Sequence, residues 1–152
     1  ICMINENTIQ IIDIPKISEP RGNLSVIEKD VIPFEMKRVY YLYDVPSGAE
    51  RGGHAHKNLQ QFLIALSGSF DVVLKDGEKE IKITLNKPSQ GLLIKSGIWR
   101  ELENFSSGSV CLVVASDVYK EEDYIREYED FLLFKKTHNI RYLKILDGCY
   151  FC

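Results

Sequence analysis

The chain has 152 residues, of which 45% are hydrophobic and 27% charged, and its formal net charge at pH 7 is −3. This size and balance predict one globular domain with its own core, and they argue against a nucleic-acid surface because no Lys/Arg run is present. The longest apolar runs, such as Val110–Ala115, are too short to cross a membrane. We therefore expect no nucleic-acid or membrane partner and, with no visible signal peptide, a cytoplasmic protein.

Short β-rich segments separated by turn residues fill the first two thirds of the chain. This pattern is typical of an all-β sandwich or barrel rather than of alternating strands and helices. Asp76-Gly77 between alternating apolar flanks indicates a hairpin. The predicted strands are Ile9–Ile14, Asn23–Glu28, Arg38–Val45, Gly53–His56, Gln60–Leu66, Phe70–Lys75, Glu80–Leu85, Gly91–Lys95, Trp99–Glu103 and Ser109–Ala115.

One C-terminal α-helix is predicted to close the domain. Apolar residues recur at helical spacing from Tyr124 to Leu132, with acidic residues 121–123 at the predicted first turn and Lys135-Lys136 at the end. We expect this stripe to pack in the core. The predicted organisation is a domain over residues 1–136 and a tail over 137–152, in which 140–146 either adds an edge strand or is disordered.

The four cysteines do not have the spacing of a disulfide framework. Cys111 lies in an apolar strand and is expected to be a small buried hydrophobe. Cys149-x-x-Cys152 lacks the second pair or nearby His that a zinc site needs. The sequence opens Ile-Cys-Met, so either Met3 is the native start or the chain is part of a longer one.

The pair His54 and His56 is the most informative feature of the sequence. Residues i and i+2 of a strand point to the same face, so both imidazoles face one spot, roughly 7 Å apart along the strand. Imidazole titrates near neutral pH and is suited to general acid-base catalysis. Buried histidines can also be hydrogen-bonded structure, and that alternative stays open from the residues alone.

The residues around this pair have the spacing of the first cupin motif, in which a barrel strand directs His-x-His into the barrel mouth: Gly48-x5-His54-x-His56-x4-Gln61-x6-Gly68. A metal-binding cupin has Glu where this chain has Gln61, and a second-motif His where it has Leu102. Divalent metals need three or four donor ligands, so we expect no metal and no other cofactor. His138 remains as a possible substitute ligand.

Cationic and tyrosine side chains near the motif are candidates for binding an anionic, hydroxyl-rich ligand. Arg forks suit phosphate oxygens, and among the cations around the motif strands we favour Arg51 and Arg100. Tyr41 and Tyr43 share one face of their predicted strand, so one of them is expected to donate a proton or hold a sugar hydroxyl. The alternatives are solvated surface charges and ordinary strand-forming residues.

From about Asp13 to Phe134 the chain resembles the metal-free cupin sugar-nucleotide 3,4-ketoisomerases, which act on dTDP-4-keto-6-deoxyglucose. The matching stretches are Arg21-Gly22-x-Leu24, Lys37-Arg38-Val39-Tyr40-Tyr41, Arg51-Gly52-x-His54-Ala55-His56-Lys57, Gln61, Trp99, Phe105-Ser106-Ser107 and Asp123-Tyr124-Ile125. The resemblance implies a cupin-type jelly-roll β-barrel and a homodimer with exchanged N-terminal strands. It also implies metal-independent isomerisation that supplies deoxy sugars for surface polysaccharides.

By this resemblance the catalytic residues are His54 and His56, beside C3 of the hexose. The expected substrate-binding residues are Arg21, Tyr41, Tyr43, Arg51, Lys57, Gln61, Trp99 and Arg100. Arg21 matches members that give galacto products and Arg100 matches members that give gluco products, so the product stereochemistry stays open. Three alternatives also stay open: a sugar-nucleotide 3,5-epimerase, a non-catalytic sugar-nucleotide-binding cupin and a metallo-cupin oxygenase.

Overall fold

A computed structural model describes residues 3–146 of the chain, with side chains as far as residue 139. A single turn of 3-10 helix covers Glu121–Asp123, and the helix α1 spans Tyr128–Leu146. The strands are β1 (Ile9–Asp13), β2 (Lys16–Glu19), β3 (Gly22–Ser25), β4 (Arg38–Leu42), β5 (Arg51–His56), β6 (Gln61–Ser67), β7 (Phe70–Lys75), β8 (Glu80–Leu85), β9 (Gln90–Ile94), β10 (Trp99–Glu103), β11 (Val110–Ala115) and β12 (Tyr124–Ile125).

Two five-stranded antiparallel sheets form the barrel, with the orders β1-β9-β6-β11-β4 and β12-β5-β10-β7-β8. The strands β2 and β3 form a separate hairpin. The architecture confirms the predicted fold class, an all-β jelly-roll barrel with one helix near the C-terminus. Each predicted strand is present within a few residues, whereas β2 was not predicted because Lys16–Glu19 lacks an apolar alternation.

The apolar side chains divide into three layers. The main core, which includes Leu63, Phe70 and Leu92, lies between the sheets. A second cluster around Phe62 covers the outer face of the first sheet, and a third joins Trp99 to Phe131 of α1. Both sheets are therefore covered on their outer faces, which is why β6 and β9 read as continuous apolar runs.

Both predicted ends of the helix are wrong. Tyr124-Ile125 pairs with β5 as β12, so strand pairing replaces helix there, and α1 begins at Tyr128 with Glu129 and Asp130 in its first turn. At the other end Lys135 is buried and donates to the carbonyl oxygen of Gly97. Lys135 therefore attaches the helix to the barrel, and the helix continues past it to Leu146.

The helix also crosses the predicted boundary at residue 136 and covers 140–146, where an edge strand or disorder was expected. Cys149 and Cys152 lie outside the described residues. No helix within residues 3–146 is long and apolar enough to span a membrane.

Gly91 in β9 tests the packing of the second cluster. A Cβ there would lie 2.1 Å from Cζ of Phe62, a fully buried ring. Overpacking of this kind costs about 1–3 kcal/mol, so Gly91→Ala should lower the free energy of unfolding in urea by that order. In a Phe62→Leu background the same change should cost clearly less. Equal losses in both backgrounds would contradict this packing account.

Candidate active site

The strand β5 carries both histidines into the barrel by way of a glycine bulge. Arg100 of β10 pairs with His54, but Leu102 pairs with Arg51, so β5 has one extra residue between these pairs. Gly52 has a φ of 74°, in the left-handed region that glycine tolerates. After the bulge Ala55 faces the helix cluster, so His54 and His56 face the interior.

The two imidazoles are closer than their backbone spacing implies. Their ring centroids are 4.8 Å apart, edge to face. Tyr124 lies opposite His56 in the β5–β12 ladder, and its ring centroid lies 4.4 Å from His56 and 5.1 Å from His54. Among the described residues, neither Nε2 atom has a hydrogen-bond partner, although both are buried. Two buried ring nitrogens without a partner among the described residues therefore belong to rings that both contact Tyr124.

Arg100 places a buried positive charge beside the histidines. It is 2% exposed and donates from Nη1 to Oε1 of Gln61 at 2.7 Å and from Nη2 to the carbonyl oxygen of Ile98 at 2.8 Å. In the described part of the chain, no carboxylate accepts a hydrogen bond from this guanidinium. Burial lowers the pKa of Arg100 to about 10, so it is charged at neutral pH. The interior thus holds a cation whose acceptors are neutral.

Gln61 connects Arg100 to Tyr40 of β4 through two hydrogen bonds. Because Oε1 of Gln61 accepts from Arg100, its Nε2 donates to the Tyr40 hydroxyl oxygen at 2.9 Å. Burial, with Tyr124 nearby, raises the pKa of Tyr40 above its ordinary value. Tyr40 is therefore a neutral phenol that accepts from Gln61 and keeps its own O–H to donate.

Both histidines are held neutral at pH 7. Burial, followed by the charges of Arg100 and Arg126, lowers the pKa of His54 to about 3, although a backbone hydrogen bond at Gly52 acts in the opposite direction. Burial, followed by Arg100 and His54, lowers the pKa of His56 well below its ordinary value. A neutral imidazole with a free nitrogen can accept a proton.

Asp123 contacts Nδ1 of His56. Its Oδ2 lies 3.1 Å from Nδ1 of His56 and accepts from the N–H of Leu59 at 3.2 Å, while its Oδ1 accepts from the N–H of Asn58 at 2.8 Å. A second tie runs through Gly97, whose N–H donates to the carbonyl oxygen of His56 at 2.7 Å. His56 is therefore held both at its ring and at its backbone.

A cavity of about 430 Å³ opens beside His56. The residues that line it are Arg38, His56, Asn58, Leu59, Ser116, Asp117, Val118, Lys120, Glu122, Asp123 and Tyr124. Its volume lies in the range of small-molecule sites. Arg38 lies 5.0 Å from the centroid of the Tyr40 ring and donates to the Tyr124 hydroxyl at 3.4 Å, so a further cation stands at the entrance.

The comparisons with known proteins agree with this geometry. The family model described as WxcM-like, C-terminal matches residues 7–136. The chain belongs to the WxcM-like family. It is 46% identical over 123 residues to the TDP-4-oxo-6-deoxy-α-D-glucose-3,4-oxoisomerase of Aneurinibacillus thermoaerophilus, covering 80% of this chain and 88% of that protein.

Solved structures show the same relationship. A mutant 3,4-ketoisomerase from Thermoanaerobacterium thermosaccharolyticum in complex with TDP-4-keto-6-deoxyglucose has a TM-score of 0.84 and 42% identity, covering 86% of this chain and 95% of that one. A dTDP-4-dehydrorhamnose 3,5-epimerase from Bacillus anthracis has a TM-score of 0.70, 15% identity and coverage of 80% and 79%. At that identity the likeness to the epimerase is one of fold alone.

Within this WxcM-like chain, the structure brings four of the ten predicted site residues together: His54, His56, Gln61 and Arg100. Arg51 is exposed at the start of β5, and Lys57 is exposed just after its end. The Arg21 side chain is 85% exposed on the β2–β3 hairpin, where it pairs with Glu19.

The structure places Tyr41, Tyr43 and Trp99 apart from this group. Tyr41 and Tyr43 do share a face, with ring centroids 5.7 Å apart, but that face is outside the barrel and the two residues are 59% and 62% exposed. The pairing of β4 with β11 turns Tyr40 inward instead. Trp99 points away from the cavity, packs near Phe131 of α1 and donates to Glu101, so it is a core residue.

Four further residues at the site, Arg38, Tyr40, Asp123 and Tyr124, were not selected from the sequence. Tyr40 could have been chosen by strand parity with Arg38, since the two are separated by one residue. Asp123 and Tyr124 had no such signal, because they were assigned to a helix and reach the site only through the β5–β12 ladder.

The residues at the predicted metal positions do not fit a metal ion. Gln61 is held by Arg100 and Tyr40, and Leu102 lies in the main core. The charge of Arg100 also disfavours a cation beside the histidines. Among the described residues, no group of three or more His, Cys, Asp or Glu could hold a metal.

The neutral state of His54 predicts a dependence of stability on pH. Its pKa is about 3 in the fold against 6.5 for the free side chain. Below pH 6.5 the histidine is protonated in the unfolded chain but stays neutral in the folded chain. The free energy of unfolding therefore decreases as the pH is lowered, by at most about 1.4 kcal/mol per pH unit for each such histidine.

His54→Asn should therefore lose less unfolding free energy than the wild type between pH 7 and pH 5 in urea titrations. His138→Asn is the matched control because His138 is exposed, and it should keep the wild-type dependence. An unchanged dependence in His54→Asn would contradict the neutral, buried state.

Proposed function

We propose that this chain is a 3,4-ketoisomerase that converts a TDP-linked 4-keto-6-deoxy sugar into its 3-keto isomer. The observation that carries the proposal is the pair of neutral histidines with free Nε2 atoms beside a buried Arg100 whose acceptors are neutral. Family membership and the activities of the related proteins support the substrate class. The product is a precursor of deoxy or amino sugars for surface glycans, made in the cytoplasm.

The reaction moves one proton between neighbouring carbons and needs no external oxidant or reductant. One histidine takes the proton from C3, and the electron pair of the C3–H bond forms a C3–C4 double bond as the C4 carbonyl oxygen becomes an enediolate oxygen. The proton of the C3 hydroxyl then moves to the C4 oxygen, which becomes a hydroxyl, and the electron pair left on the C3 oxygen forms the new carbonyl as C4 takes up a proton from the other histidine or from water. The proton held by the first histidine replaces the one that C4 took up.

Negative charge on the C4 oxygen is the costly feature of this intermediate. Arg100 is a preorganised positive charge in a buried site, so it stabilises the enediolate more than the neutral ketone. Tyr40 adds a donor, since Gln61 occupies its acceptor position and leaves its O–H to point elsewhere. The same cation that holds the histidines neutral therefore also stabilises the charge they create.

The test follows the sugar by proton NMR in D₂O after addition of TDP-4-keto-6-deoxyglucose. A 3-keto product with deuterium at C4 is expected. Deuterium at C5 with inversion would support a 3,5-epimerase, and unchanged substrate despite TDP binding would support a binding protein; either would overturn the proposal. Activity that EDTA abolishes and one metal restores would support the metallo-cupin alternative.

His54→Asn and His56→Asn should each keep TDP binding, because Asn preserves hydrogen-bonding capacity at smaller volume. Turnover should fall by about 10² or more for the variant that lacks the C3 base. The other variant should lose less, or should exchange the C3 proton with solvent without completing the reaction. Wild-type turnover in both would show that the histidines are structural, and His138→Asn serves as the control.

We also propose that two copies form a dimer by exchanging the β2–β3 hairpin. The prediction from sequence was an exchanged N-terminal strand over Ile9–Ile14, but β1 pairs with β9 of its own chain. Within the described residues, in contrast, the two strands of the hairpin pair only with each other, and all their residues are exposed, including the apolar pair Ile17 and Leu24. An isolated two-stranded hairpin is marginal in water, so a second copy's sheet is its expected partner.

Light scattering should give twice the chain mass for the wild type at micromolar concentration. Ile17→Lys with Leu24→Lys should give a monomer, because the apolar pair is lost from the interface. Leu133→Lys is the matched control, since Leu133 is a similarly exposed apolar residue on α1. A monomeric wild type, or a dimer that survives the double change, would reject the exchange.

A further inference from the structure

Resting on the proposed isomerase function, we propose that Asp123 is a positioning residue that keeps the His56 proton on Nδ1 and so presents Nε2 to the substrate as a proton acceptor. Its side chain is 11% exposed and lies against Nδ1 of His56, the ring nitrogen other than Nε2, which has no partner among the described residues. Asp123 thus acts on the reaction through His56.

The first step is the direction of the hydrogen bonds at Asp123. Backbone N–H groups of Asn58 and Leu59 donate to its two carboxylate oxygens at 2.8 and 3.2 Å. Both oxygens are therefore acceptors, and a carboxylate has no hydrogen to donate. The proton in the contact of 3.1 Å with His56 therefore belongs to Nδ1 of the imidazole.

The second step is the tautomer that results. A neutral imidazole has one N–H, so a proton on Nδ1 leaves a lone pair on Nε2. That atom is buried and, among the described residues, unpartnered. When Nε2 takes up a proton during turnover, the carboxylate also stabilises the imidazolium that forms.

The third step is the asymmetry between the two histidines. Only His56 faces a carboxylate in the described structure, and its backbone is fixed by the N–H of Gly97 and by the β12 ladder. His54 has a backbone hydrogen bond at Gly52 and no acidic partner among the described residues. Removing the carboxylate should therefore change His56 and leave His54 as it is.

Asp123→Asn is the decisive variant because it is nearly isosteric. Its single carboxamide oxygen should stay on the N–H of Asn58, the shorter contact, which turns the NH₂ group towards His56. The NH₂ group donates, so Nδ1 of His56 must accept, and the ring proton moves to Nε2. His56 then has no proton acceptor at Nε2.

Nitrogen-15 shifts of the histidine rings report this directly. In the wild type, Nε2 of His56 should be unprotonated and Nδ1 protonated at pH 7, and in Asp123→Asn the two should exchange roles while His54 keeps its shifts. Turnover should fall by about 10² or more with TDP affinity unchanged, as expected for lost acid-base catalysis. Glu127→Gln is the matched control, an exposed carboxylate four residues further on.

Three outcomes would overturn the proposal: protonated Nε2 of His56 in the wild type, wild-type turnover in Asp123→Asn, or lost turnover with an unchanged tautomer. The wild-type spectrum decides even if the variant does not fold. Because the tautomer is measured without substrate, a protein that fails to isomerise the sugar would defeat the proposed function separately.

Discussion

A guanidinium enclosed in a β-barrel is the constraint on which the site depends. Arg100 requires acceptors, and Gln61 and the Ile98 carbonyl supply them without neutralising its charge. Glutamate at position 61 would cancel that charge, whereas an amide both accepts from Arg100 and donates to Tyr40. Glutamine in place of glutamate at position 61 therefore removes a metal ligand from the cupin motif and also leaves the positive charge of Arg100 unneutralised.

The buried charge of Arg100 also affects the two histidines, because it disfavours their protonated forms. Burial and the field of Arg100 remove their charge, which leaves two neutral imidazoles whose ring centroids are 4.8 Å apart. Their surroundings then distinguish them: a carboxylate and a ladder fix His56, and a glycine bulge sets the direction of His54. Two identical side chains on one strand thereby become chemically different.

Period-two patterning was sufficient to predict the barrel because most strands are buried on one face or both, and a parity error there would expose the core. It was insufficient at β4, where three tyrosines in four residues leave either parity plausible, and the choice between Tyr40 and Tyr41 is made by the register with β11. The positions of Asp123 and Tyr124 could not be predicted from sequence patterns. Residues 121–132 have helical periodicity, and the two-residue pairing of β12 with the distant strand β5 leaves no pattern of its own. Trp99 is next to Arg100 on β10, so the two side chains point to opposite faces of the sheet.

One residue, Gly97, joins the helix to the histidine strand. The N–H of Gly97 donates to the carbonyl oxygen of His56, and its own carbonyl accepts from the ammonium group of Lys135. Gly97 has a φ of 77°, so few other residues could take its place. A change at the buried Lys135 would therefore disturb the backbone that holds His56, although no residue of α1 is among those that line the cavity.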